Sequence, residues 1–295
     1  MANVDFKQFY LDIEGILRYY NLYVPSQVTG KEAVPLLVLL HGAGGNPRTV
    51  RNVSSMNDLA DRRGFIIAYP QGTGPKEKNL TWNAGQCCGF AFENKMDDVA
   101  FIRTLIDELS WQWSVDERRI YIAGVSNGGM MTHRLACELS HKIAAAAAVA
   151  ASLPKSSCIP EEPVPIILFH GTADPYVPYY GGKSQITILK EPVSHTPVHE
   201  TVSFWVNHNG CLPQPEVAEE MVEGHIVKKE TYSRGKNNSE VILYTIAGGG
   251  HTWPGPNLKK LAPRDPMQVV PASELIWEFF SKNHKAEGSR HPGRP

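Results

Sequence analysis

Two apolar patterns alternate along the chain. Residues 35–40, 65–69, 120–123 and 164–169 are short runs with almost no polar position inside them. A run that is apolar on both alternating faces suits a strand covered on both sides, as in a parallel sheet. Residues 144–151, nearly all alanine, read as another such strand, narrow enough for helices to pack close, and 241–246 is strand-like too. Between the runs the spacing becomes helical. Asp97 and Asp98 open the clearest case, with Val99, Ile102, Leu105, Ile106, Leu109 and Trp113 along one face. The acidic pair suits an N-cap and the positive end of the helix dipole. Helices are also expected over 128–139, 197–208 and 273–283. The first segment is different. Residues 6–13 and 16–24 are rich in aromatic and β-branched side chains and flank Gly15, which predicts an antiparallel pair.

Strands alternating with helices argue for an α/β fold, a mostly parallel, doubly wound sheet with antiparallel N-terminal strands and no large cap domain. No repeat or linker divides the chain, so residues 1–284 are expected to form one domain. The polar tail 285–295 is expected to be disordered.

Composition narrows the functional classes. The chain has 295 residues, 42% hydrophobic and 20% charged, which fits a packed globular domain. Its net charge of −1 gives no basic excess for nucleic acid or an anionic membrane. The N-terminus lacks a basic stretch followed by an apolar one, so no signal peptide is read. The expected location is cytoplasmic, or secreted or periplasmic if a signal has been removed. The five cysteines are Cys87, Cys88, Cys137, Cys158 and Cys211, without zinc-site spacing. Adjacent Cys87 and Cys88 are either a vicinal disulfide or two packed thiols.

The strongest chemical signal is Gly124-Val-Ser126-Asn127-Gly128, after an expected strand and before an expected helix. That is the context of a nucleophile elbow, where a sharp turn lifts a serine hydroxyl above the sheet. A serine needs a base and a group that orients the base. Asp174 follows the run ending at Phe169, and His251 follows three glycines after the strand-like 241–246 segment. Ser126, Asp174 and His251 therefore read as nucleophile, acid and base. The glycine-rich loop His41-Gly-Ala43-Gly-Gly45 follows the 35–40 strand, and its Ala43 N–H pairs with that of Asn127 as a candidate oxyanion hole. Trp82, Trp253 and Tyr176 are candidates to shape a substrate pocket, although Trp82 equally suits a loop packed on its own indole. His195 and His199 have i, i+4 spacing but Pro197 lies between them, so no metal site is expected. Residues 42–45 lack the Lys-Ser/Thr of a phosphate loop.

The blocks HGAGG, WNAGQCCG, DDVAFIR, GVSNGGMM, HGTADPYVPY and GGGHTWPG run in order from His41 to Gly255. Together they resemble the LpqC-like / polyhydroxybutyrate depolymerase group of α/β-hydrolases, near the feruloyl esterases of carbohydrate esterase family one. The resemblance implies an α/β-hydrolase fold, a serine carboxylesterase without metal or cofactor, and a small-molecule or oligomeric ester substrate. It places the triad on the same Ser126, Asp174 and His251. Feruloyl or cinnamoyl esters lead, with polyhydroxyalkanoates as the alternative. A peptidase of this fold usually carries an extra domain, and a dienelactone hydrolase or dehalogenase needs Cys or Asp at the elbow. A non-catalytic binding protein would typically lack a triad member.

Overall fold

The computed structural model describes residues 4–75, 78–154, 159–185, 193–257, 262 and 264–286. Ten strands form one sheet in the order β1-β2-β4-β3-β5-β6-β7-β12-β11-β10. Its centre is parallel: β4 (Ile66–Pro70), β3 (Val34–Leu40), β5 (Val115–Val125), β6 (Ala145–Val149), β7 (Ile166–Gly171) and β12 (Val241–Ile246). The hairpin of β1 (Val4–Ile13) and β2 (Ile16–Val24) adds antiparallel strands at one side. At the other side, β10 (Glu216–Val222) and β11 (His225–Tyr232) do the same.

The apolar runs behave as their pattern requires. In β3, Leu36, Val38 and Leu40 enter one core while Leu37 and Leu39 enter the other. The first core receives α4 (Asp98–Gln112), α5 (Asn127–Glu138) and α6 (Val198–Asn209). The second receives α1 (Pro47–Ser54), α2 (Met56–Arg63) and α7 (Ala272–Lys282). Just past β6 the chain comes close to α5: a Cβ on Gly129 would lie 2.6 Å from the Cβ of Ala151. The expected helices at 128–139, 197–208 and 273–283 each lie within one residue of α5, α6 and α7. Asp97 caps α4 as anticipated, its carboxylate accepting the N–H of Ala100. Asp98 does something else. It lies buried, accepts from the Arg18 guanidinium at 2.5 Å, and holds the Asn83 N–H at 2.7 Å.

Two expectations are corrected or sharpened. Cys87 and Cys88 form the vicinal disulfide rather than two thiols, across a cis peptide. Cys137 is disulfide-bonded as well, Cys211 is a buried free thiol, and Cys158 lies outside the described residues. The tail is tied down at its start, where the Lys285 ammonium pairs with Glu162 at 2.6 Å; residues 287–295 lie outside the described residues. The two-stranded piece β10–β11 has no clear sequence signature, because the Glu216–Val222 strand is almost wholly exposed and mixes glutamates with apolar residues without alternation. No described helix is long and apolar enough to cross a membrane.

Two predictions follow from this packing. Arg18→Met leaves the Asp98 carboxylate buried without its cation, which should lower stability by about 3–5 kcal/mol. Urea unfolding measures it, and Arg18→Met/Asp98→Asn should recover much of the loss; a single-variant loss below about 1 kcal/mol would refute the account. The second concerns His41, His133 and His195, which burial pushes down to about 4, 3 and 4 from an ordinary 6.5. Between those values and 6.5 the unfolded chain binds more protons, so stability is full above pH 6.5 and falls as pH drops towards 4. The combined slope approaches roughly 4 kcal/mol per pH unit. Urea midpoints at pH 7.5, 6.5, 5.5 and 4.5 should show a plateau and then a steep decline; a flat profile would contradict the neutral burial of these rings.

Candidate active site

Ser126 sits between β5 and α5 with φ 58° and ψ −126°, a backbone conformation unfavourable for a residue with a Cβ. The turn is held because its neighbours leave no room. A Cβ on Gly124 would lie 2.3 Å from the Gly128 carbonyl oxygen, and one on Gly128 would lie 2.4 Å from that of His41. Only glycine fits at either position. The Ser126 N–H donates to the Val149 carbonyl at 2.8 Å, which pins the turn to the end of β6.

The other two sequence-predicted residues come to this point from neighbouring strand ends. Asp174 follows β7 and His251 follows β12, and those strands pair in parallel. His251 Nε2 lies 2.8 Å from Ser126 Oγ, and His251 Nδ1 lies 2.7 Å from Asp174 Oδ2. The other carboxylate oxygen of Asp174 accepts N–H groups from Tyr176 at 2.9 Å and Val177 at 2.8 Å. Burial alone would raise the Asp174 carboxyl. The hydrogen bond and charge of His251, helped by the Val177 N–H and by His170, outweigh it and hold the carboxyl below its ordinary value. The glycine loop before His251 is tied to the segment after β7: the Gly249 carbonyl accepts from the Ala173 N–H at 3.0 Å, and Gly248 N–H donates to Thr172 Oγ1 at 2.8 Å. Such a line of hydroxyl, imidazole and buried carboxylate can pass a proton from serine to histidine and stabilise the imidazolium that results.

Above Ser126 lies the loop after β3. The Gly72 N–H donates to His41 Nε2 at 3.0 Å, so that nitrogen is an acceptor and Nδ1 carries the proton. His41 Nδ1–H then donates to the Gly42 carbonyl at 2.8 Å, which also receives the Gly45 N–H at 3.1 Å. With the Gly42 carbonyl held there, planarity turns the N–H of Ala43 the opposite way. Both Ala43 and Asn127 line the cavity over Ser126. The Asn127 N–H is at the first position of α5, where a helix leaves its N–H groups without intrahelical partners.

The cavity measures about 380 Å³. Val50, Val53, Met130, Val193, Cys88 and Trp253 are part of its apolar wall. Trp253 lines it as expected and anchors its indole N–H on Ser273 Oγ at 3.0 Å. Tyr176 lines it too, its ring centroid 4.9 Å from that of His251. Trp82 is a correction. It is fully buried and off the cavity, because its indole N–H donates to the His41 carbonyl at 2.9 Å. Its backbone is gripped in turn by Asn127, whose side chain accepts the Trp82 N–H at 2.7 Å and donates to the Trp82 carbonyl at 3.0 Å.

A second serine–histidine contact lies nearby. His195 Nδ1 is 3.2 Å from Ser152 Oγ, while His195 Nε2 is 2.9 Å from Ser184 Oγ. Ser152 is buried and has no elbow, and the far nitrogen of His195 meets a hydroxyl rather than a carboxylate, so this set lacks the polarity of the first. His195 lines the cavity, while His199 is exposed on α6. Sequence reasoning overlooked Val50 and Val53, yet their i, i+3 spacing after the Asn46 cap and Pro47 was a usable helix signal. Nothing in the local sequence marks Ser184 or Ser152.

The sequence profile of the phospholipase/carboxylesterase family matches residues 27–211. Feruloyl esterase B of Piromyces equi is 36% identical over 233 residues, 77% of this chain and 41% of that protein. The putative esterase NocK of Nocardia uniformis subsp. tsuyamanensis is 32% identical over 257 residues, 82% of this chain and 72% of that protein. The chain thus spans less than half the length of the first relative. Among solved structures, a thermostable esterase superposes with a TM-score of 0.62 at 20% identity, covering 95% of this chain and 64% of that one, a likeness of fold. The matched profile, the order of the strands and the glycine-bounded turn at Ser126 agree: the chain belongs to the phospholipase/carboxylesterase family of α/β-hydrolases.

Proposed function

We propose that the protein is a serine carboxylesterase, with residues 1–284 acting as one catalytic domain. The observation that carries the reading is the unbroken line from Ser126 Oγ through His251 to Asp174, at 2.8 and 2.7 Å, opening into the cavity. Ser126 attacks the ester carbonyl as His251 takes its proton. Asp174 keeps the imidazole in the Nδ1–H tautomer and stabilises its charge. The N–H groups of Ala43 and Asn127 receive the oxyanion. His251 then protonates the departing alcohol, and water, activated by the same imidazole, releases the acid.

Feruloyl or cinnamoyl esters are the leading substrates. A flat, largely apolar acyl group suits a cavity of about 380 Å³ walled by valines, Met130 and Trp253, and one relative is named for feruloyl esters. Polyhydroxyalkanoate oligomers are the second reading, supported by the motif resemblance and by the aliphatic share of that wall.

Trp82 and the Asn127 amide join the two oxyanion donors. They tie the start of α5 to the Trp82 backbone and the Trp82 indole to the His41 carbonyl, so Ala43 and Asn127 keep a common spacing.

Ser126→Ala should lower turnover of methyl ferulate or a short p-nitrophenyl ester by at least about 10⁴-fold with an unchanged unfolding midpoint. A folded variant that kept its rate would refute the assignment. Trp82→Phe removes only the indole N–H and should lower kcat about tenfold while KM moves little, below the roughly 10²–10³-fold loss of a whole oxyanion donor. An effect confined to KM would refute the clamp.

A further inference from the structure

The cavity wall carries one buried polar group that the Ser126 chemistry does not use. His195 closes the short strand β9 (Ser194–His195), which pairs with β8 (Gly182–Lys183) beside Ser184. Both ring nitrogens face serine hydroxyls: Nδ1 lies 3.2 Å from Ser152 Oγ and Nε2 lies 2.9 Å from Ser184 Oγ. Ser184 Oγ also reaches the Val193 carbonyl at 3.3 Å. Ser184 and His195 both line the cavity that contains Ser126, whereas Ser152 stands behind them.

The Ser152–His195–Ser184 chain can run in either direction. If Ser152 donates to Nδ1, then Nε2–H donates to Ser184, whose own proton is free for a guest or for Val193. If Ser184 donates to Nε2, then Nδ1–H donates to Ser152, and Ser184 offers the cavity its lone pairs. One hydroxyl on the wall can therefore act as donor or acceptor, which matches a guest hydroxyl that is itself both. Charge excludes other guests. Burial is the largest influence on the ring and keeps it neutral above about pH 4, so an anion would find no cation here. An ammonium group would face a neutral imidazole and hydroxyls. The remaining wall, with Val50, Val53, Met130, Val193 and Trp253, accepts apolar surface.

We propose that Ser184 and His195 form a subsite that recognises a neutral hydroxyl on the acyl half of the ester. This rests on the esterase reading. The acyl half is favoured because it stays in the site through both half-reactions, its bond to Ser126 forming in the first and breaking in the second, while the alcohol leaves and water takes its place. The hydroxyl has two chemical sources, the phenol of a hydroxycinnamoyl group or the alcohol of a hydroxyalkanoyl group.

The test uses two matched pairs: methyl 4-hydroxycinnamate against methyl cinnamate, and p-nitrophenyl 3-hydroxybutanoate against p-nitrophenyl butanoate. The full chain, Ser184→Ala and His195→Phe are compared by kcat/KM. The full chain should favour the hydroxylated member of at least one pair by about tenfold or more. That ratio should fall towards one in Ser184→Ala, a half-buried position whose change leaves the core intact, and likewise in His195→Phe. The pair that shows the preference identifies the source. Turnover without any preference, or a preference that survives in Ser184→Ala, or equal losses on both members of a pair, would overturn the subsite alone. No turnover of any of the four esters, nor of p-nitrophenyl acetate, would overturn the esterase reading and the subsite with it.

Discussion

The close approach of α5 to the ends of β3 and β5 is the constraint on which the site depends. With Gly128 under the His41 carbonyl and Gly124 against the Gly128 carbonyl, the helix enters where no side chain fits. That approach forces Ser126 into its positive-φ conformation and places the first N–H groups of the helix beside the loop that carries Ala43. The strain is held by the surrounding contacts: a hydrogen bond to Val149, alanine strand β6 beneath, and Gly129 against Ala151. A methyl group at any of these glycines would move the helix and, with it, the Ser126 hydroxyl and the Asn127 N–H together.

A second layer of polar contacts keeps the loops in register. Arg18 on β2 neutralises Asp98 at the head of α4; Asp98 holds the Asn83 N–H, and Arg134 on α5 donates to the Asn83 carbonyl at 2.7 Å. Next along the chain, Trp82 grips Asn127 and His41. An ion pair buried between a peripheral strand and a helix thus supports, through one loop, the geometry of the active-site turn. Burying that pair is costly by itself, and its hydrogen bonds to the loop offer a structural reason for its position.

Much of this was legible because the relevant signals are local. The glycines around Ser126, the apolar runs and the glycines before His251 each state a local requirement, and Ser126, Asp174 and His251 come together because β5, β7 and β12 end on the same side of the sheet. The legible part stopped where burial is decided by partners remote in sequence. Trp82 reads equally as a pocket residue or as the packing of its own loop until the His41 carbonyl is found at its indole N–H. Asp98 reads as part of a helix cap, but its partner is 80 residues away on β2. His195 has a metal-like spacing to His199, yet its partners are Ser152 and Ser184, one of them 43 residues distant. Strand β10 escaped notice because an exposed acidic strand has no apolar alternation to betray it.

The position of β12 has a consequence for how the site comes into being. The chain first runs outward to build β10 and β11, then returns to lay β12 between β11 and β7. The loop bearing His251 therefore leaves an interior strand, shielded from the fraying to which sheet margins are prone. The same route separates the site's parts along the chain: Ser126 and Asp174 follow β5 and β7, but His251 follows only after the chain has built β10 and β11 and turned back inside them. In the proposed mechanism proton transfer from Ser126 needs that imidazole, so an amino-terminal part of the chain ending before His251 lacks the proton acceptor.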